Sequence, residues 1–383
     1  MGLLADIYVL ANLKMQTAKV KKKDDRALRF LQKVMLKSDS LQKLAFKKAQ
    51  QKLSERFFRY TFFDNRKKRF MKSVARRTRT EQVEIVLAHD LKAVKVARKF
   101  AKRNNAVFFF DLVESTFSNL AGLQPTFFYK KNAKQAERIA AQADYILSGD
   151  PYLSSEFVKR QRTKMPVLVL NGQDEVVESR RVISIRERIA DNTNRPIVLY
   201  IGVVSKLRGI EQIIDAFSLI NTDALLVIMG PGGDVYREEV LAQIRLLGLE
   251  NRAFVLEGVP ERDMVPVSAT ATIGISPILS GTGNAGLVYN NKMFQYLAAH
   301  LPILTTNCPG PGGFVKEHEI GYVYEEENAT DLAKKIDRAL SKDEEFNLKI
   351  QNNLPIVARK YAWATQENNL RQLIRSAEQQ IQK

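Results

Sequence analysis

A chain of 383 residues with 45% hydrophobic content is long enough for two domains of ordinary size with full cores. Its one cysteine, Cys308, excludes internal disulfides and cysteine-built metal clusters and fits a reducing compartment. The net charge of +18 is uneven: residues 1–83 hold 23 Lys and Arg against 7 Asp and Glu, so nearly all of the excess sits there. No apolar run is long enough to span a bilayer. Met1–Leu13 is apolar in part, but Asp6 interrupts it and no basic region precedes it, so it is not read as a signal peptide. A cytoplasmic protein is expected.

In chain order, the first feature is a basic helical segment over 20–80. Leu41, Ala45, Ala49, Leu53 and Phe57 recur every four residues, one apolar stripe on a helix, with Lys43, Lys47, Lys48, Lys52 and Arg56 around it. Aromatics follow at Phe57, Phe58, Tyr60, Phe62, Phe63 and Phe70, among Arg59 and Arg66–Arg69. Three readings stand: a domain helix with a solvated basic face, docking on an anionic membrane surface, or nucleic-acid binding through phosphate contacts and stacking. The membrane surface is preferred over nucleic acid as partner.

A strand is predicted to end at Val86–Asp90 and another at Phe108–Asp111. Glu137–Ser148 reads as a helix running into a strand, and Val167–Asn171 as a last strand before a linker. From Arg195 onward apolar strands alternate with amphipathic helices. The strands are Ile197–Gly202, Ala224–Gly230, Phe254–Val259, Thr272–Ile278, Ile303–Thr306 and Tyr322–Tyr324; helices include Ile210–Ile220 and Arg237–Leu247. Continuous apolar runs indicate strands buried on both faces, hence a doubly wound parallel sheet. The stretch Ile275–Pro302 stands out: a buried strand, a loop rich in Gly and Asn, then a helix starting near Asn291. A helix N-terminus below a glycine loop suits an anion, because free N–H groups and the helix dipole point at one spot.

Several motifs occur together. They are Gly202 with Ser205–Ile210; Met229–Gly233; Phe254–Val259 followed by Pro260–Val265; Asn291–Ala299 (NKMFQYLAA); and Tyr361-Ala362-Trp363. In this order they resemble the nucleotide-sugar domain of the group 1, retaining glycosyltransferases of GT-B fold. Val86–Asp90, Phe108–Glu114 and Glu137–Ser148 resemble that family's first domain. The likeness runs from about Gln82 to Trp363 and fails over the first 80 or so residues.

The resemblance implies an α/β GT-B protein: two Rossmann-like doubly wound domains facing a cleft, and a C-terminal helix crossing back to the first. The domains expected are an acceptor-binding one at 1–191, a nucleotide-sugar-binding one at 192–360, and the returning helix at 361–383. The reaction implied is transfer of a hexose from a nucleotide-diphosphate sugar to an acceptor hydroxyl. The acceptor would be a glycan or lipid-linked, as in cell-surface polysaccharide or glycolipid synthesis, with the enzyme peripheral on the inner face of the cell membrane. No metal cofactor is expected, and no Asp-x-Asp pair is present. Arg208 and Lys292 would stabilise the leaving diphosphate, Arg208 with a planar fork. Gly202, Gly283, Asn284, Asn290, Asn291 and Gln295 would complete the donor site, with Gly281, Gly286 and Glu257–Pro260 at its border. His89 would stand near the reacting sugar or acceptor, and Asp111 and Glu114 on the acceptor side. Asn290 and Asn291 equally suit helix capping. His300, where the family prefers Gly, is given no role, and His318 is read as a surface residue.

One departure concerns two glutamates that the family carries eight positions apart. Leu287 and Gln295 stand there. Gln295 can still hydrogen-bond a ribose; Leu287 cannot bind a hydroxyl. Two other readings follow: a non-catalytic nucleotide-sugar or glycan binding protein of the same fold, and a basic nucleic-acid-binding protein.

Overall fold

The computed structural model describes residues 83–89, 91, 93–113, 127–174, 182–279, 286–341 and 345–381. The basic segment 20–80, Glu114, Gly281, Gly283 and Asn284 lie outside the described residues.

The first sheet has four parallel strands in the order β1-β2-β3-β4: β1 Ile85–His89, β2 Val107–Leu112, β3 Tyr145–Ser148 and β4 Val167–Leu168. Helices α1 (Val94–Asn104), α2 (Phe127–Ala140) and α3 (Pro151–Gln161) connect them. Alternation along β2 sorts the core into two faces, since successive side chains point opposite ways. Phe108 and Phe110 join Ala88, Ile146 and Phe157 on one face. Val107 and Phe109 join Leu147 on the other.

After the short helix α4 (Ile185–Arg188), the second sheet has six parallel strands. In chain order they are β5 Ile197–Ile201, β6 Leu225–Met229, β7 Ala253–Leu256, β8 Ile273–Ser276, β9 Ile303–Thr306 and β10 Gly321–Tyr324. The helices between and after them are α5 Ile210–Ser218, α6 Asp234–Leu246, α7 Glu261–Ser268, α8 Asn291–Ala298, α9 Pro311–His318, α10 Ala329–Leu340 and α11 Glu345–Tyr361. The spatial order is β10-β9-β8-β5-β6-β7. Every residue of β5, β6, β8 and β9 is buried, as continuous apolar runs predict. The edge strand β7 is only partly buried and stops at Leu256, short of the predicted Val259. β8 stops at Ser276, because Pro277 has no N–H to continue the ladder.

The last helix, α12 (Trp363–Ile381), leaves the second domain. Its stripe of Leu370, Leu373, Ala377 and Ile381 covers the Val107/Phe109 face of the first sheet. That stripe has helical spacing, so one face is apolar and the rest is solvated. The Gln366 side-chain oxygen, buried, accepts from the Leu170 N–H at 3.1 Å and pins the helix where it lands.

Candidate donor and acceptor sites

In the second sheet, β5 is followed outward by β6 and β7, while β8, β9 and β10 build the other half. The crevice at the carboxyl ends of β5 and β8 is therefore the topological switch point, where ligands of open α/β sheets bind. There β5 and β8 pair only at Val198–Ile273 and Leu199–Gly274 and then part. The Tyr296 hydroxyl from α8 fills the gap. It accepts from the Ile201 N–H at 3.0 Å and lies 3.1 Å from the carbonyls of Leu199 and Ile275. A Cβ on Gly274 would lie 2.5 Å from the Tyr296 ring, so glycine makes room for it.

The loop after β5 carries the predicted donor residues. Gly202 has φ +143°, a conformation that disfavours side chains. The Lys292 side chain lies across it, and a Cβ there would meet Lys292 Cε at 2.7 Å. Lys292 Nζ sits 4.7 Å from the centre of the Tyr200 ring. Arg208 follows Leu207 (φ +65°) and precedes Gly209 (φ +70°), the N-cap of α5, which packs against Pro277 at the end of β8. The loop thus bridges the switch point and brings Arg208 toward Lys292.

The electrostatics of this pair are unusual. Burial and then the Arg208 charge push the Lys292 ammonium down to about 8. Burial raises the Tyr200 phenol to about 12, with Arg208 opposing. Neither Arg208 nor Lys292 has an ion-pair partner among the described residues. Lys292 is also in the first turn of α8, where a cation opposes the helix dipole. Two cations held together at a helix start without a counter-charge make a strong site for an anion.

The other donor-side residues are engaged locally. Asn290 caps α8: its side-chain oxygen accepts from Met293 N at 3.1 Å and its amide donates to Ser276 Oγ at 3.0 Å. Asn291 Oδ1 accepts from Asn171 Nδ2 at 3.2 Å, a bond between the domains. Gln295 Nε2 donates to Met264 Sδ at 3.2 Å, toward α7. Gly286 N and O lie in the loop ahead of α8, the carbonyl accepting from Gly310 N at 3.0 Å. Leu287 is partly buried. The structure therefore gathers Gly202, Arg208 and Lys292 at one spot, whereas the amides of Asn290, Asn291 and Gln295 each have a protein partner.

In the first domain, His89 ends β1 and pairs in register with Asp111 on β2. His89 Nδ1 donates to Asp111 Oδ2 at 2.7 Å, with the ring largely exposed. The contact is that of a carboxylate-oriented imidazole.

Sequence reasoning missed Asp150. Its carboxylate is 2% exposed, caps α3 by accepting Leu153 N at 2.9 Å, and accepts Tyr289 N across the domain boundary at 2.8 Å. Burial raises its pKa against these hydrogen bonds. Val288 packs on the first-domain core beside it, so the loop entering α8 is fixed by both domains. The one legible signal was Asp-Pro after a strand, an N-cap with Pro at N1; the long-range half of its role leaves no local trace.

His318 is not a surface residue. Its side chain is 10% exposed, its Nε2 lies 3.0 Å from Tyr361 Oη, and it stacks edge-on against Phe314 at 4.6 Å. Burial lowers its pKa. The charged-looking sequence around it (Lys316, Glu317, Glu319) hid an inward turn of α9. His300 has φ +52°, the left-handed conformation that explains why a glycine suits this position.

Among the described residues no cluster of three or more His, Cys, Asp or Glu could hold a metal ion, and no helix is long and apolar enough to cross a membrane.

Residues 182–355 match the family model described as "Glycosyl transferases group 1". The second domain is thus similar to that family, and the described residues have the GT-B architecture of two Rossmann-like domains with a C-terminal helix. No curated protein matches the chain by sequence. Many solved structures share the fold. HepE of Anabaena, solved with UDP and glucose, superposes with a TM-score of 0.64 at 18% identity, covering 80% of this chain and 81% of its own. Sucrose-phosphate synthase of Thermosynechococcus elongatus gives 0.63 at 15% identity, covering 83% and 79%. The lipopolysaccharide outer core galactosyltransferase WaaB gives 0.56 at 16% identity, covering 83% and 82%.

Proposed function

We propose that the protein transfers a hexose from a uridine-diphosphate sugar to an acceptor hydroxyl, retaining configuration at the anomeric carbon. The observation that carries the reading is Lys292, held over Gly202 at the switch point and within reach of the Arg208 charge, with no carboxylate partner for either cation among the described residues. Breaking the sugar–phosphate bond leaves charge on the diphosphate, and preorganised cations in a partly dry site stabilise it as it forms. They supply the charge that a metal would otherwise bring, so no metal is required. The choice of uridine follows HepE, which binds UDP. On the other side, His89, oriented by Asp111, is the group that hydrogen-bonds the acceptor hydroxyl and takes up its proton.

The acceptor is a surface glycan or lipid-linked saccharide, a reading supported by the likeness to WaaB. The protein works in the cytoplasm on the inner membrane face, and residues 20–80, with their excess of Lys and Arg, dock it on anionic lipid.

A second reading has its own observation. Leu287 and Gln295 replace the family's two glutamates, and the Gln295 amide is turned to Met264. A binding protein that retained the fold would hold UDP-hexose without turnover. A thermal-shift panel of UDP, GDP, ADP and TDP sugars, with Arg208→Ala and Lys292→Ala beside the parent, tests the donor site. A parallel transfer and hydrolysis assay separates the readings: tight binding with no product favours the second, and no binding by any nucleotide sugar overturns both.

A further inference from the structure

The transfer reading leaves one crevice unused. Where the chain crosses between domains there is a hollow of ≈ 370 Å³, walled by Asn171, Gln173, Asp174, Glu261, Asn291 and Trp363. Its shape is built into the backbone. A Cβ on Gly172 would lie 2.1 Å from the Tyr361 carbonyl, so the two crossing segments touch main chain to main chain. Asp174 Oδ1 accepts from Ala364 N at 3.1 Å, and Asn171 joins Asn291 across the opening.

The chemistry of the walls is the reverse of the donor site. Among the described residues no lysine or arginine lines the hollow, while two carboxylates do, and these disfavour a diphosphate. Glu261 has no ion-pair or hydrogen-bond partner among the described residues. Carboxylates and amides accept hydroxyl protons in many directions, and the Trp363 indole, 36% exposed, offers a flat apolar face. A pyranose ring has these two surfaces: an equatorial rim of hydroxyls and a face of C–H bonds. The volume lies at the lower end of the range for small-ligand sites, about 300–1,000 Å³. Asn291 stands next to Lys292 in sequence, so the hollow adjoins the start of α8.

We propose that this crevice is a second saccharide subsite, holding one neutral hexose unit of a glycan and distinct from the position of the donor sugar. It stands on the wall chemistry and is independent of whether the protein catalyses transfer.

Trp363 is the chain's one tryptophan, so its emission reports on the crevice alone. The experiment titrates the full chain with maltose, cellobiose, lactose, mannobiose and chitobiose, with and without saturating UDP. The expected result is a saturable blue shift of the emission with at least one disaccharide, in the millimolar range, that persists with UDP present and in Lys292→Met. Glu261→Ala and Gln173→Ala should each weaken that binding severalfold while leaving the UDP thermal shift intact. A flat titration with all five sugars overturns the proposal. So does a shift that UDP or Lys292→Met abolishes, which would place the sugar at the donor site, or one that neither wall variant changes. Failure of UDP to bind at all is a separate outcome: it counts against the transfer reading and leaves the tryptophan titration to decide the subsite.

Discussion

The two sheets present their strand ends in opposite electrostatic states. In the first domain His89 has its carboxylate, Asp111, at 2.7 Å. In the second, neither Lys292 nor Arg208 has a counter-charge among the described residues, and burial, then the Arg208 charge, depresses Lys292 to about 8. The paired group is complete before any ligand arrives; the unpaired one is not. The difference teaches that the second domain holds unfavourable charge in the empty state, which a bound anion relieves, whereas the first holds an oriented group ready for a neutral hydroxyl.

The sharpest way to break the contrast is Lys292→Met. Donor turnover should fall about 100- to 1,000-fold, as when one transition-state donor is removed. The same variant should be more stable without ligand. Lowering the lysine from 10.5 to about 8 costs about 3 kcal/mol at neutral pH, at about 1.4 kcal/mol per unit, and methionine removes that cost. Loss of activity together with a higher Tm is expected from kinetics and calorimetry; a lower Tm would mean the lysine is a structural support.

On the paired side, Asp111→Asn should lower kcat about 100-fold, near the lower limit for a positioned acid–base group, and leave the KM for donor unchanged. Steady-state kinetics at varied donor decide it, and an equal rise in donor KM would move Asp111 out of the acceptor role.

Next comes Tyr296→Phe. It leaves the buried Ile201 N–H without an acceptor, so unfolding by urea should show a loss of about 1–3 kcal/mol. An unchanged midpoint would mean that β5 and β8 close up and satisfy one another.

The smallest effect is a pH slope. A bound diphosphate stabilises the ammonium and raises its pKa above about 8. Binding therefore takes up a proton above that value, and donor affinity should fall with rising pH from about 8, by at most tenfold per unit. In the absence of donor the sign reverses for stability. The unfolded lysine stays protonated to 10.5 while the folded one loses its proton near 8, so stability rises with pH across that window. Isothermal titration in two buffers of different ionisation enthalpy measures the uptake, and Lys292→Met should abolish it.

The strands of the second domain were legible because buried parallel strands are continuous apolar runs, and the start of α8 because Asn290-Asn291 is a capping signal. Arg208, Lys292 and Gly202 were legible as motif residues. What could not be read was which side chains already had partners. The spacing of Asn290, Asn291 and Gln295 suits ligand binding and capping alike, and only the fold shows Met293, Ser276, Asn171 and Met264 taking those amides. Asp150 and His318 were missed for the same reason. Each meets residues far along the chain, Tyr289 and Tyr361, and local pattern carries no record of a meeting 139 or 43 positions away.

The Tyr296 hydroxyl has a consequence for how the domain can change. Parallel strands of this length would go on pairing to their ends, and β5 and β8 have two further residues each with which to do so. One phenol ends that pairing early, like a pin in a zip. The opening at the switch point is thus a property of a helix residue and not of the strands. Changes on β5 or β8 alone would reshape its walls, but its width is set by a single oxygen bonded to the backbone of both strands.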